Sequence, residues 1–157
     1  MKRKTGLKQI TDKNTTVLIL GSLPSDESLR QQQYYAHPGN DFWRLISITI
    51  DQDISRQEYD EKIRILQENG IGLWDVFREC EREGSADSNI TNTQINDYSR
   101  LDRMAPKLEL VCFNGKKAGE AEHLFKEKGY RTMVLPSSSG ANRRNIQSRV
   151  LKWKDLL

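Results

Sequence analysis

Two stretches of this chain concentrate side chains able to do chemistry. The first reads Gly21-Ser22-Leu23-Pro24-Ser25, then Tyr34-Tyr35-Ala36-His37-Pro38-Gly39-Asn40-Asp41-Phe42-Trp43. The second reads Leu135-Pro136-Ser137-Ser138-Ser139-Gly140-Ala141-Asn142-Arg143-Arg144. Glycine lets a backbone approach a ligand closely. Tyr34 and Tyr35 offer flat faces on which a nucleobase can stack, or which a sheet can cover. The Asn40 amide can orient a water or read a base edge, or do no more than cap a helix. His37, just before a proline, can also serve as a loop residue that bonds to backbone. Serine hydroxyls and amides leading into a basic helix suit phosphate, and also suit a polar turn with a helix cap. Asp75, at the end of an apolar run, is either a reacting acid or a buried hydrogen-bonding group.

Several chemistries are excluded. The first stretch lacks the Gly-Lys-[Ser/Thr] ending of a Walker loop and the three glycines of a dinucleotide fingerprint. Cys80 and Cys112 cannot build a four-cysteine metal site, and His37 and His123 share no ligand spacing with them. Two cysteines also exclude a secreted disulfide framework, so reduced thiols in a cytoplasmic protein are expected. No apolar run approaches the ~20 residues of a membrane span. The basic start, Met1 to Gly6, is followed by no apolar signal core.

Charge is unevenly spread. The formal net charge of +3 splits into +3 over residues 1–50, −6 over 51–87 and +6 over 88–157. No carboxylate lies between Lys128 and Lys154, where Arg131, Arg143, Arg144, Arg149 and Lys152 fall. A basic end beside an acidic middle suits a face that attracts polyanions, or a solvated basic helix.

The elements that must position these residues alternate. With 157 residues, a single domain spanning 1–157 is expected. Thr16 to Leu20 reads as a buried strand ending at Gly21. A long loop from Ser22 to Gly39 follows, and such loops are usually functional. Asn40 is expected to cap a helix, and Ser55 to Gln67 reads as a second helix capped by Ser55. Leu73 to Phe77 reads as a strand or buried turn, and Ser85 to Thr93 as polar loop. Asn96 is expected to cap a helix that Pro106 stops. Leu108 to Phe113 is a strand, Lys116 to Lys128 a helix, Thr132 to Leu135 a strand. A last helix carries Ile146, Val150 and Trp153 on one face. Alternation of this kind predicts a three-layer α/β/α sandwich around a central, mostly parallel sheet of about four strands. Ligands gather at the carboxyl ends of such strands, which is where both stretches begin.

Together the two stretches resemble the uracil-DNA glycosylase superfamily, in the branch that includes mismatch-specific uracil glycosylases and hypoxanthine-DNA glycosylases. The first motif of that branch is matched by Gly21, Pro24, Tyr35, His37, Pro38, Asn40, Phe42 and Trp43. The second is matched by Leu135, Pro136, Ser139, Gly140 and Arg143. Gly72 to Val76, Arg82 to Ser88 and Phe113 to Lys117 also look like the hypoxanthine branch. The mismatch-specific uracil enzymes carry a water-positioning Asn where Leu23 stands here, and the hypoxanthine branch uses the Asn that maps to Asn40. Ala141 stands where relatives put a larger wedge, leaving Asn142 or Arg143 to fill the gap in the duplex.

The resemblance implies hydrolysis of the N-glycosidic bond of a base flipped out of damaged DNA, hypoxanthine first. Asn40 would be the catalytic residue, holding water through its side-chain carbonyl. The base would meet Gly21, Ser22, Leu23, Pro24, Tyr35, His37, Asp75 and Asn114. DNA would meet Ser137, Ser138, Ser139, Gly140, Ala141, Asn142, Arg143 and Arg144, with Arg149 as a further phosphate contact. The implied reaction requires no metal or cofactor, no membrane partner is expected, and the chain is expected to act as a monomer. The alternatives are a G/U mismatch-specific uracil-DNA glycosylase, a hydrolase of free nucleosides, and a non-catalytic nucleic-acid-binding α/β domain.

Overall fold

The computed structural model describes residues 3–140 and 146–157. Its centre is a four-stranded parallel sheet built from β2 (Val17–Gly21), β3 (Ile71–Asp75), β6 (Leu110–Asn114) and β7 (Arg131–Leu135), in the order β3-β2-β6-β7. Every residue of β2, β3 and β6 is buried, which is why these strands read as apolar runs rather than as alternation.

The two faces still sort by the two-residue period. Val17 and Ile19 pack into one core cluster, Leu18 and Leu20 into another. The first cluster is completed by α2 (Phe42–Thr49), α3 (Tyr59–Glu68) and α7 (Ile146–Lys154), through Phe42, Ile46, Leu66 and Trp153. The second is completed by α4 (Leu101–Met104), α5 (Lys116–Gly119) and α6 (Glu122–Glu127), through Leu101, Ala118 and Phe125. The expected three layers and four parallel strands are present.

Several local expectations are corrected. The long loop contains a helix, α1 (Asp26–Gln31), capped by Ser25, whose hydroxyl accepts from the Ser28 amide. The second helix starts at Tyr59, because Ser55 turns back instead: its amide and hydroxyl both donate to Asp53. Lys116 to Lys128 is two short helices, parted at Glu120 and Ala121. Asn96 caps nothing; its amide donates to the Asp75 carbonyl at 2.9 Å.

The largest departure is a second, antiparallel sheet of β1 (Arg3–Thr5), β4 (Phe77–Glu81) and β5 (Thr91–Ile95), the last of which begins inside the 85–93 stretch expected as polar loop. All five residues of β5 are exposed, so that strand has no apolar face to announce it.

Arg149 also departs from expectation. It is fully buried and forms an ion pair with Asp41 at 3.2 Å, so it cannot be a phosphate contact. This pair ties α7 to the start of α2. Removing one partner strands the other charge in the interior. Asp41→Ala should therefore lower the unfolding free energy by about 3–5 kcal/mol in urea titrations. Arg149→Met should leave the salt slope of DNA binding unchanged, because it removes no phosphate contact.

Candidate active site

Gly21, Asp75, Asn114 and Leu135 end the four parallel strands at one edge of the sheet. The two chemistry-bearing stretches meet there, and Ser138 joins them. The Ser138 hydroxyl donates to Asn40 Oδ1 at 2.8 Å. The same hydroxyl accepts from Asn114 Nδ2 at 2.8 Å. The Ser138 amide donates to Asn114 Oδ1 at 2.9 Å, and its carbonyl accepts from the Asp41 amide at 2.9 Å. Asn114 Nδ2 gives its other hydrogen to the Tyr35 hydroxyl at 3.2 Å. A continuous chain of hydrogen bonds thus runs from Asn40 through Ser138 and Asn114 to Tyr35.

This network fixes which atoms of Asn40 can act. Its Oδ1 accepts from the Phe42 amide at 2.9 Å as well as from Ser138. An amide oxygen has two lone pairs, and both are used. That leaves no lone pair of the carbonyl for a water, while Nδ2 has no hydrogen-bond partner among the described residues. The capping expectation survives in altered form, since Asn40 satisfies the first amide of α2 from one residue before the formal cap, Asp41.

Tyr35 is held in an unusual backbone conformation, φ 56°. A bulky residue there costs about 1–3 kcal/mol, and such strain persists only where the surroundings enforce it. The enforcement is visible on both sides. Tyr34, buried with its hydroxyl on the Lys8 carbonyl at 2.9 Å, anchors the preceding residue. The Ala36 amide donates to the Ser28 hydroxyl at 3.0 Å. One face of the Tyr35 ring stacks on Phe42, with centroids 3.8 Å apart.

Asp75 is buried, and its Oδ2 has no hydrogen-bond partner among the described residues. Burial pushes this carboxyl up to about 8, against the pull of Arg82 and with help from Asp87. Arg82 is itself fully buried but occupied: its guanidinium donates to the carbonyls of Pro24 at 2.7 Å and Gly84 at 2.8 Å. It braces the first stretch from below rather than pairing with Asp75. Gly21 lies beside Asp75 in register. A Cβ there would meet Asp75 Oδ1 at 2.8 Å and the Tyr35 hydroxyl at 3.3 Å, so only glycine fits.

The remaining expected residues divide. Leu23 turns its side chain into the second core cluster, and its carbonyl, like that of Pro24, faces Arg82. The Ser22 hydroxyl donates to Asp87 at 2.6 Å. His37 is exposed, with Nδ1 accepting from the Gly39 amide at 2.9 Å. Ser138 is corrected from a phosphate contact to the hub of the site, since it is fully buried and its amide and hydroxyl are both engaged. The Ser139 amide donates to the Ser137 hydroxyl at 3.1 Å. Ala141, Asn142, Arg143 and Arg144 lie outside the described residues. Sequence reasoning missed the roles of Arg82 and Asp87. Arg82 had one signal, its place within the 82–88 stretch of the resemblance; residue type alone did not mark it.

A parallel α/β/α sheet with this polar cluster at its carboxyl edge defines an α/β domain whose cluster lies where ligands of such folds bind. The profile of the Uracil DNA glycosylase superfamily matches residues 8–157. The chain belongs to that superfamily. It is 56% identical over 151 residues to a protein of Methanosarcina acetivorans named hypoxanthine DNA glycosylase, covering 96% of each chain. It is 50% identical over 153 residues to a protein of the same name from Methanosarcina barkeri, covering 98% of this chain and 97% of the relative. A solution NMR structure from Methanosarcina acetivorans, provisionally described as a uracil DNA glycosylase, superimposes with a TM-score of 0.92 at 54% identity, over 99% of this chain and 96% of that one.

The buried carboxyl makes a stability prediction. A carboxyl raised in the folded state favours folding at pH values below its unfolded value near 3.9, and that contribution fades as pH climbs toward 8. Asp75→Asn should remove this dependence. Its melting temperature relative to wild type should rise between pH 4 and 8 and level off above, by 1 kcal/mol or more, roughly 2–4 °C. A difference constant over that range would mean that Asp75 ionises normally.

Proposed function

We propose that this chain is a hypoxanthine-DNA glycosylase, which hydrolyses the bond between deoxyribose and a deaminated base and leaves an abasic site. The observation that carries the reading is its near-full-length likeness to two proteins of that name. Two features of the site support it. Leu23, buried in the core, cannot hold a water as an amide could there, and Asn40 is gripped from two sides with Nδ2 left over.

The proposed sequence starts with base flipping, which costs a few kcal/mol and least for a mispaired base. The flipped base stacks on the ring of Tyr35. As the glycosidic bond loosens, the sugar approaches an oxocarbenium ion. Asn40 Nδ2 donates to the oxygen of a water and presents its second lone pair to C1′. An amide is no general base, but a highly reactive electrophile needs only positioning, which can contribute several kcal/mol. Amides near Ser22 face the negative charge that develops on the departing base. Arg143 and Arg144 contact the phosphates, and Asn142 or Arg143 fills the vacated space in the duplex. The enzyme acts as a monomer and without a metal or cofactor. A purely binding domain would gain nothing from a strained tyrosine and a buried unpaired carboxyl at its ligand edge.

Labelled oligonucleotides carrying deoxyinosine, uracil or xanthine, treated with alkali after incubation, test the reading. Strand breaks should appear at deoxyinosine. Faster release of uracil from a G·U pair would overturn the hypoxanthine assignment. Asn40→Ala should slow single-turnover excision roughly a hundredfold, about 2.7 kcal/mol, with DNA affinity nearly intact. Asn40→Asp keeps both oxygen contacts but loses Nδ2, so it should fold well and still be slow. A fast Asn40→Asp enzyme would remove Nδ2 from the mechanism.

A further inference from the structure

One buried titratable group is left unused by the mechanism above. Asp75 ends β3 beside Gly21, with its side chain buried. Its backbone carbonyl is taken by Asn96 and by the Tyr98 hydroxyl at 2.7 Å, but Oδ2 has no partner among the described residues. A purely structural aspartate at this depth would be expected to bond with its carboxyl, since buried polar groups are nearly always satisfied.

The surroundings keep it protonated. Arg82 is the cation that faces it, and that guanidinium is engaged by backbone carbonyls and by Asp26, at 3.7 Å. Asp87, from the turn after β4, adds negative charge. The other titratable neighbours, the hydroxyls of Tyr34, Tyr35 and Tyr98, are all buried deeply enough to stay neutral. With a value pushed up to about 8, the carboxyl carries its proton at neutral pH. Asp75 Oδ1 and the Tyr35 hydroxyl fill the space over Gly21, 2.8 and 3.3 Å from the point that a Cβ would occupy. A base stacked on Tyr35 would lie at the sheet edge where Asp75 ends β3, on the ring whose hydroxyl stands beside the carboxyl.

We propose that Asp75 is the proton donor to the departing purine, delivering its carboxyl proton to N7 of the flipped hypoxanthine. This rests on the hypoxanthine reading and deepens it. The proton moves from Asp75 to N7 while the C1′–N9 bond breaks with its electron pair going to N9. Hypoxanthine leaves neutral. Water held by Asn40 adds to C1′ of the oxocarbenium ion and loses a proton, which restores the carboxyl. The sum is one water consumed, one base and one abasic site formed. A pyrimidine has no N7, so the same device discriminates against uracil.

Single-turnover excision from deoxyinosine duplexes across pH 6–10 tests this, with Asp75→Asn and with a substrate whose base is 7-deazahypoxanthine. Wild-type excision should fall about tenfold per pH unit above pH 8. Asp75→Asn should be at least a hundredfold slower at pH 7, and its profile should be flat. The 7-deaza substrate should slow the wild-type enzyme to the level of Asp75→Asn, with no further loss in the variant. That arm needs no mutant, so a folding defect cannot imitate it. Rapid wild-type excision of the 7-deaza base, or a flat wild-type profile, overturns the role of Asp75 and leaves the hypoxanthine reading standing. A wild-type chain that releases no hypoxanthine overturns both.

Discussion

The hydroxyl of Ser138 is the contact on which the site depends. It donates to Asn40 and accepts from Asn114, and so connects the loop after β2 to the ends of β6 and β7. The Asn114 side chain backs it up, bonding to both Ser138 and the Tyr35 hydroxyl. The backbone repeats the grip, since the Asp41 amide donates to the Ser138 carbonyl. Asp41 in turn holds Arg149 on α7. A buried, mutually satisfied polar cluster of this kind rigidifies what it touches, because any broken member leaves an unpaired group in low dielectric. Asn40 is therefore fixed from across the site by Ser138 as well as by its own segment through the Phe42 amide.

That rigidity offsets two local costs. Tyr35 sits in a backbone region that bulky residues avoid, and Asp75 lies buried beside Gly21. Each is unfavourable alone. Each is enforced by a large apolar cluster behind it, Phe42 and Trp43 on one face of the sheet, Trp74 and Tyr98 on the other. The parallel sheet supplies the edge at which both faces end together. Sites of this architecture sit at such edges because the loops there are free to vary while the strands are not.

Much of this was legible in the residues. Val17 to Leu20 and Leu110 to Phe113 announce themselves as buried strands by unbroken apolar runs, and the motif residues point to the correct edge. The second sheet was not legible, because β5 exposes every side chain and so lacks any hydrophobic period. Nor was the fate of Arg149 legible. Its charge places it with Arg143 and Arg144 in a basic stretch, and only the fold reveals Asp41 beside it, 108 positions away. Ser138 was read as one of three equivalent serines. The sequence has no mark that separates the buried hub from its neighbours, because burial of a small polar residue is decided by loops meeting in space. Asp75 stood between two readings, and its unpaired carboxyl weighs against the structural one.

The most direct test of the central claim is a mutant cycle on Ser138 and Asn40, read by single-turnover release of hypoxanthine from duplex DNA. Ser138→Ala removes one acceptor and one donor from the cluster, and should cost about 1–3 kcal/mol of stability. If Ser138 holds Asn40 in place, its loss should slow excision by about tenfold or more. The double variant should then be no slower than Asn40→Ala alone, because the two act as one unit. Full excision rate in a folded Ser138→Ala enzyme, or losses that simply multiply in the double variant, would contradict the account.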